Sequence, residues 1–375
     1  MEVQVKQLRD ALELLSPVVP RKATIPALTY FRLGGGRAVA SDLEVTVAID
    51  LDGADEDLLL PAKDVLKFLK YTPGMGTAQI TWSKKGSQGQ GRVTITSGGM
   101  DAAYDEVPGA EDYPPLPEAP HDGEGVINGE LLMKALSIVA PYAATETDRP
   151  VLHGVYLNTE DGLELAAADG FRLAWEPVAG RLNIPPTVVP LKAVEVLEDL
   201  WKKAAAPDLS GVHDVSDLAT ATRLMRFDRG ENHLRIGFGL VTMFATIVQG
   251  TFPNYRNLIP TELGSPVTVF GPDMQRAVAQ VGDVASKGSG IVRLVWGDGK
   301  LMVSSKQDES EVSVSVPAQF DYQGKVALDV KYLTQYFKAR AGFVTITPSG
   351  GKSGAVTFTY NGRAHMILMP MAVQW

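Results

Sequence analysis

Residues 251–260 read TFPNYRNLIP, and they run into a second proline-containing stretch, IPTELGSP, at residues 259–266. A comparable polar and proline-rich stretch, PPLPEAPHDGE, occupies residues 114–124. Clusters of proline, glycine and polar residues are typical of linkers. The two stretches divide the chain into thirds of about 120 residues each, which is a common domain size. We therefore predict three domains, at residues 1–122, 123–260 and 261–375.

Each third repeats one order of elements, which indicates an internal repeat of structure. An amphipathic helix comes first, and a second helix lies between two groups of strands. In these windows apolar residues recur on one side of the helix and charged residues on the other. The helices are predicted at residues 5–16, 62–71, 129–142, 190–203, 272–285 and 329–340.

The predicted strands have β-branched residues at alternate positions, as in VSVSV at residues 312–316. Glycine-rich turns are predicted between strands at residues 86–91 and 349–354. The fold class that follows is α+β, with many antiparallel strands and two helices in each repeat. Further strands are predicted at residues 92–96, 152–157, 233–247, 291–296, 343–347 and 355–360.

Composition narrows the class of protein. The chain has 375 residues, of which 45% are hydrophobic and 21% charged, as in ordinary globular proteins. It has no cysteine, which excludes disulfides and thiolate metal sites. No apolar run reaches the length of a membrane span, and the first residues lack a signal-peptide pattern. We expect a cytoplasmic protein.

Catalytic and metal-binding motifs are not found in the sequence. The segment Gly351-Lys352-Ser353 resembles the end of a phosphate loop, but Ile346 stands where that loop needs a glycine, so a hairpin tip is predicted. The acidic run at residues 50–57 lacks calcium-loop spacing and is read as a solvated loop. No two of the five histidines are three to five residues apart, which disfavours a metal pair. We expect no cofactor, no metal and no catalysis; the histidines are His121, His153, His213, His233 and His365.

The net charge of −9 argues against broad phosphate contact over the whole surface. The charge is unevenly distributed, however. The six predicted helices hold 13 basic and 10 acidic residues, whereas the remainder holds 22 basic and 34 acidic residues. The helices are thus mildly positive and the rest strongly negative, which would favour DNA on the helical side.

Several short segments, in this order and spacing, resemble the bacterial β sliding clamp, the β subunit of DNA polymerase III. Each of them alone is a weak indicator, but their order and spacing together are specific. The resemblance covers the whole chain, including both linkers. Its segments are RKATIPAL at 21–28, SDLE at 41–44, EDYPPLP at 111–117, ADGFRL at 168–173, TFPNYRNLIP at 251–260 and HMILMPM at 365–371.

The resemblance implies the DNA clamp fold: three tandem domains per chain, with two chains joined head to tail as a homodimeric ring. Helices would line the hole, sheets would form the outer wall, and double-stranded DNA would thread through without sequence readout. Such a ring serves as a processivity factor in DNA strand elongation. Its partners would be the DNA polymerase III α subunit, the clamp loader and other proteins with clamp-binding motifs, and no membrane. Polymerase, nucleotidyltransferase or 3′–5′ exonuclease labels would belong to the holoenzyme.

The resemblance also implies three sets of site residues. Without it, the final strand could equally pack into a domain core, and any of the basic residues could be an ordinary solvated side chain. The implied peptide pocket comprises Leu152, Gly154, Gly170, Arg172, Leu173, Pro253, Leu258, Ile367, Met369, Pro370 and Met371. The implied DNA contacts are Arg21, Lys22, Lys63, Lys67, Lys70, Lys134, Arg149, Lys192, Lys202, Lys203, Arg276, Lys331 and Lys338. The implied dimer interface, by edge-strand pairing, comprises Met100, Ala102, Tyr104, Val284 and Ala285.

The chain departs from the family's pattern at Ala168, Phe171 and Asn257, where threonine, histidine and a basic residue are common. The tail after Met371 is also slightly longer and ends in Trp375. These changes leave open whether partner peptides bind with the usual strength. A diverged clamp paralogue that acts as an interaction protein without encircling DNA is therefore an alternative. A hydrolase or transferase is a third possibility, which the lack of a clustered His, Asp and Ser set argues against.

Overall fold

In a computed structural model of the chain, the described residues are 1–84, 90–117, 123–146, 148–204, 224–307, 310–338, 340–350 and 354–375. The hairpin tip predicted at Gly351 to Ser353 lies outside them, as do His121 and His213. Parts of the linker at 114–124 and of the turn at 86–91 lie outside them as well.

Six α-helices lie within the described residues, and all six helix windows predicted from the sequence are confirmed to within a few residues. The third window ends early as an α-helix, because a 3₁₀ turn at Ala140–Tyr142 takes over its last residues. None of the described helices is long and apolar enough to cross a bilayer. The helices are α1 Val5–Leu15, α2 Ala62–Tyr71, α3 Gly129–Val139, α4 Leu191–Lys203, α5 Gly271–Lys287 and α6 Val330–Phe337.

The strands fall at the predicted windows, with two differences. Residues 233–247 form two antiparallel strands, His233–Phe238 and Val241–Thr246, joined by a turn. The strand predicted from residue 152 begins at Gly154, because Pro150–Leu152 forms a 3₁₀ turn. The described strands are β1 Glu2–Gln4, β2 Tyr30–Gly34, β3 Arg37–Ser41, β4 Val45–Asp50, β5 Leu58–Pro61, β6 Thr77–Lys84, β7 Gly91–Ser97, β8 Met100–Val107, β9 Glu124–Asn128, β10 Gly154–Asn158, β11 Leu163–Ala168, β12 Arg172–Val178, β13 Leu182–Asn183, β14 Thr187–Pro190, β15 Leu224–Arg229, β16 His233–Phe238, β17 Val241–Thr246, β18 Val267–Phe270, β19 Ile291–Gly297, β20 Lys300–Gln307, β21 Ser310–Gln319, β22 Gly324–Asp329, β23 Phe343–Pro348, β24 Val356–Tyr360 and β25 Arg363–Leu368.

Every described α-helix follows directly from a strand, and two such strand–helix pairs fall in each predicted third. The helices form because their apolar residues recur at helical spacing and can be buried together. In α2, Val65 and Leu69 are buried, whereas Lys63, Lys67 and Lys70 on the other side are exposed. This recurrence of strand followed by helix is the structural form of the predicted repeat.

The backbone forms two compact units. The first consists of Met1–Ala140, His153–Leu165 and Pro177–Gly250, and the second of Pro141–Leu152, Ala166–Glu176 and Thr251–Trp375. The division into domains at residues 1–122, 123–260 and 261–375 stays a prediction.

The first unit contains a four-stranded sheet in the order β1-β6-β7-β8 and a nine-stranded sheet in the order β13-β9-β15-β16-β17-β4-β3-β2-β5. Strands from the first and second predicted thirds meet in the larger sheet, where β17 pairs with β4 in antiparallel register. A further antiparallel pair joins β10 and β14.

The second unit contains strands in the order β12-β25-β24-β23-β18-β21-β20-β19-β22. Neighbouring described strands in this order pair antiparallel, from β12 with β25 to β19 with β22. Its core is apolar and includes the fully buried Trp296, Phe337 and Phe358. The antiparallel sheets and interspersed helices confirm the predicted α+β class.

In each unit, one tryptophan of the described residues packs over a glycine. A Cβ atom on Gly91 would lie 2.5 Å from the indole of Trp82, and one on Gly324 would lie 2.2 Å from the indole of Trp296. In both places a paired neighbouring strand has no side chain where the indole packs. Any larger residue would have to displace the ring, so these glycines are required for packing.

Candidate functional site

The pairing of β12 with β25 joins the two segments that the sequence marks as most informative. Leu173 lies opposite Ile367, and Arg172 lies opposite Leu368. Leu173 and Ile367 are both buried, as apolar residues on a paired inner strand should be. The predicted pocket residues in segments 168–173 and 365–371 are therefore brought together within the second unit.

A tight turn precedes β12. One carboxylate oxygen of Asp169, Oδ1, accepts hydrogen bonds from the backbone N–H of Phe171 at 2.9 Å and of Arg172 at 3.1 Å. Gly170 between them has a φ of +94°, which favours glycine. Arg149 lies against this turn, with Nη1 3.1 Å from where a Gly170 Cβ would stand. As a result the Phe171 side chain is 63% exposed.

Arg172 is only 7% exposed, and its donors are used inside the second unit. Its Nε donates to Asp169 Oδ2 at 2.9 Å, Nη1 donates to Gln335 Oε1 at 2.5 Å, and Nη2 donates to the Pro141 carbonyl at 2.9 Å. Charge-assisted hydrogen bonds of this kind fix a side chain in one geometry. Arg172 therefore holds the Asp169 turn in place, and only a small part of the Arg172 side chain is open to a ligand.

Two tyrosines enclose the Arg172 guanidinium. Its central carbon lies 4.8 Å from the ring centroid of Tyr142 and 4.5 Å from that of Tyr332. Burial raises the pKa of Tyr142, and burial together with the nearby Asp169 carboxylate raises the pKa of Tyr332 to about 12. Both phenols are therefore neutral at physiological pH and offer their rings to the cation.

The sequence reasoning did not identify Tyr142, Tyr332 and Gln335 as part of this site. Tyr332 and Gln335 are three residues apart on α6 and so share one face of the helix. That spacing could have indicated a joint role, but nothing in the sequence indicates that Arg172 is their partner.

The C-terminal tail crosses this region. The Met369 N–H donates to the Phe171 carbonyl at 2.8 Å, and the Met371 N–H donates to the Ala327 carbonyl on β22 at 2.8 Å. Met369 is 44% exposed, while Pro370 and Met371 are half-buried. Trp375 is 53% exposed, and Lys325 Nζ lies 4.9 Å from its ring centroid.

The other predicted pocket residues differ in exposure. Pro253 is exposed just before a short 3₁₀ turn, Tyr255–Leu258, and Leu258 is exposed as the last residue of that turn. The buried Phe252 and Tyr255 anchor the turn through an edge-to-face contact, with 6.1 Å between their ring centroids. Leu152 is buried in the second unit.

Gly154 is placed in the first unit, in the β10·β14 pair. A Cβ atom there would lie 2.4 Å from the Val189 carbonyl oxygen, so close strand packing accounts for the glycine. The role of these residues in peptide binding stays a prediction.

All thirteen predicted DNA-contact residues are exposed. Lys63 and Lys67 on α2 form no ion pair with any described carboxylate, whereas four other cations do. The paired cations are Lys192 with Asp42 and Glu44, Lys202 with Glu198, Lys203 with Asp199, and Arg276 with Asp273. The two carboxylates raise the pKa of Lys192 against the opposing effect of burial.

No protein-family model matches the chain. Individual relatives do: the "Beta sliding clamp" of Caulobacter vibrioides is 23% identical over 354 residues, covering 89% of this chain and 88% of that protein. The crystal structure of the DNA polymerase III β subunit from Pseudomonas aeruginosa matches with a TM-score of 0.83 at 19% identity, over 99% of both chains. The chain shares the fold of the bacterial β sliding clamps. The Caulobacter crescentus clamp, solved with polyethylene glycol at its β-motif tethering region, matches with a TM-score of 0.82 at 20% identity.

The residues predicted for the dimer interface differ in where they lie relative to the sheet edges, where two chains could pair. Met100, Ala102 and Tyr104 lie on β8, the end strand of the four-stranded sheet, which pairs with β7 on one side. Val284 and Ala285 were predicted to contribute to the interface by edge-strand pairing. The prediction that they form a strand is wrong. They lie in α5, whose backbone groups bond within the helix, and Ala285 is 2% exposed.

Among the described strands of the second unit, β21 is open along part of one side. Residues 310–317 pair with β20, but on the other side only Ala318 and Gln319 pair, with β18. The segment SEVSVSV at 310–316 therefore presents unpaired backbone groups along one side. Its alternating valines were predicted as a strand from the sequence, but not as an edge.

Proposed function

We propose that the chain is a DNA sliding clamp: a non-catalytic processivity factor that encircles duplex DNA as a head-to-tail homodimer. The observation that carries the proposal is the match to a solved DNA polymerase III β subunit over 99% of both chains. The sequence relationship over 89% of the chain supports it independently. We further propose that the protein acts in the cytoplasm.

A ring holds DNA by topology, so it needs only loose contact with phosphate. Exposed lysines such as Lys63 and Lys67, which form no ion pair with a carboxylate in the described part of the chain, suit that role, because they attract the backbone without reading bases. A polymerase tethered to such a ring stays at high local concentration at the primer end. The mild positive charge of the helices and the negative charge elsewhere favour DNA on the helical side.

Ring closure would join β8 of one chain to β21 of the other. Both strands offer a row of unpaired backbone N–H and C=O groups, and such edges pair readily. A head-to-tail contact of two different surfaces closes into a ring when its rotation allows. The predicted interface residues Met100, Ala102 and Tyr104 belong to this seam.

Partner proteins would dock a short apolar peptide onto the second unit, around Phe171 and Met369. These two exposed side chains are joined at their backbones by a 2.8 Å hydrogen bond. We propose the DNA polymerase III α subunit and the clamp loader as such partners, together with other proteins that carry a clamp-binding motif.

A retention experiment on DNA tests encirclement. The labelled chain is loaded by a clamp loader onto a nicked circular plasmid, and the complex is isolated by gel filtration. The clamp is expected to remain on the circle and to slide off within minutes once a restriction enzyme linearises the plasmid. A linear plasmid with both ends blocked by bound protein is the control and should retain it. Equal loss from circular and linear DNA would refute the ring.

The alternative function is a clamp-fold interaction protein that does not enclose DNA. The ion pairs of Lys192, Lys202, Lys203 and Arg276 favour it, because they neutralise four of the thirteen candidate cations. The same retention experiment separates the two functions. Peptide binding with no retention on circular DNA would support the alternative.

A further inference from the structure

The tail beyond Met369 is fixed to the second unit, although chain termini are commonly loose unless they are tied down. Two backbone hydrogen bonds hold it, from Met369 to Phe171 and from Met371 to Ala327. Its last residue, Trp375, lies over Lys325, which is on the same strand as Ala327. The tail therefore leads from the Phe171–Met369 pair to a second fixed position on β22.

Large apolar side chains are exposed at both ends of this path. Phe171 and Met369 stand at one end, and more than half of Trp375 is exposed at the other. Exposed apolar groups that lie close together and are held in place mark surfaces that a partner covers. The path runs from Met369 to Met371, crosses the hydrogen bond to Ala327, and follows β22 to Lys325. Its length is less than about 20 Å, which six residues of extended peptide can span.

Lys325 gives this second position a charge preference. Its side chain is exposed, and no carboxylate of the described residues lies within ion-pair distance of its ammonium group. The Trp375 ring holds the ammonium on one side and leaves its other donors open. At the other end of the path, the Asp169 carboxylate in the turn before Phe171 is paired with Arg172.

We propose that Trp375 and Lys325 form a second subsite, which binds an acidic side chain that flanks the apolar residues of a partner peptide. The Phe171–Met369 pair would take the apolar residues, and Lys325 would bind the carboxylate against the face of the indole. This inference rests on the proposed function, because the peptide is the one that tethers a partner to the clamp.

The test uses two fluorescein-labelled fourteen-residue peptides, DGDGDGLFGDGDGD and its twin NGNGNGLFGNGNGN, titrated with the full chain and followed by fluorescence anisotropy. Acidic residues stand on both sides of the apolar pair, so either peptide direction can reach Lys325. The acidic peptide is expected to bind about two- to fivefold more tightly at low salt, and the difference should shrink at 0.5 M salt.

Variants assign that preference to residues. Lys325→Gln is expected to abolish the preference for the acidic peptide, whereas the matched control Lys300→Gln, at another exposed lysine of the second unit, should keep it. Trp375→Ala should weaken both peptides and reduce the preference. The double variant Met369→Ala with Met371→Ala should weaken both peptides by the same factor and leave their ratio unchanged.

Each other outcome decides against the subsite. Equal binding of the two peptides to the wild-type chain overturns the acidic subsite and leaves the apolar pocket standing. A preference that persists in Lys325→Gln, or that also disappears in Lys300→Gln, overturns the assignment to Lys325. If neither peptide binds, the subsite and the peptide pocket both fail, while retention on circular DNA still tests the clamp separately.

Discussion

At the scale of single residues, His365 on β25 makes the free energy of unfolding depend on pH. It is 4% exposed, stacks on Tyr336 at 5.6 Å between ring centroids, and faces Tyr360, Arg340 and Arg363. Burial, followed by the Arg340 guanidinium, lowers its pKa from 6.5 to about 4. Below pH 6.5 this histidine is therefore protonated in the unfolded chain but stays neutral in the folded chain until the pH nears 4. Because the unfolded chain binds the extra proton, the free energy of unfolding falls as the pH drops from 6.5 towards 4.

Between pH 7 and pH 5 this histidine should account for a loss of about 2 kcal/mol in the free energy of unfolding. The measurement is urea unfolding of the wild-type chain and of His365→Phe, which keeps an aromatic ring against Tyr336 but cannot titrate. The variant should lose about 2 kcal/mol less than the wild type over that interval. Parallel pH dependence in the two proteins would show that His365 is not the group responsible.

The residues of the candidate site were partly predictable from the sequence. The motif ADGFRL identified Gly170 and Arg172, and the structure explains them through the positive φ of the turn and through the hydrogen bonds of Arg172. The enclosure of Arg172 by Tyr142 and Tyr332 was not predictable, because it depends on three segments that are distant in sequence. Local patterns contain no information about such contacts.

At the scale of elements, the seam proposed for ring closure can be tested with two neighbouring prolines on β8, Ala102→Pro and Ala103→Pro. Successive residues of a strand direct their N–H groups to opposite sides, so one proline removes a bond to β7 and the other removes an outward donor. The outward one should leave the fold intact and produce monomers. Sedimentation analysis measures the mass, and circular dichroism shows whether each variant is folded. If both variants fold and both remain dimeric, the seam lies elsewhere.

The helices were predictable because their apolar residues follow a local period that tertiary packing then uses. Strand windows were predictable for the same reason, but their partners were not. The pairing of β17 with β4 joins different predicted thirds of the chain, and nothing in either strand specifies the other. Val284 and Ala285 were assigned to an edge strand for a related reason, since position along the chain was used without regard to the helix that contains both residues.

At the scale of the whole molecule, DNA retention should depend on where the positive charges lie and not only on their number. The triple variant Lys63→Glu, Lys67→Glu and Lys70→Glu reverses the exposed face of α2. The matched control, Lys84→Glu, Lys300→Glu and Lys306→Glu, makes the same change in net charge on strands β6 and β20. If helices face the DNA, the α2 variant should dissociate faster from nicked circles, most clearly below about 0.1 M salt, because fewer phosphate contacts release fewer counterions. The strand variant should resemble the wild type. Equal retention of both variants at every salt concentration would remove α2 from the DNA side of the ring.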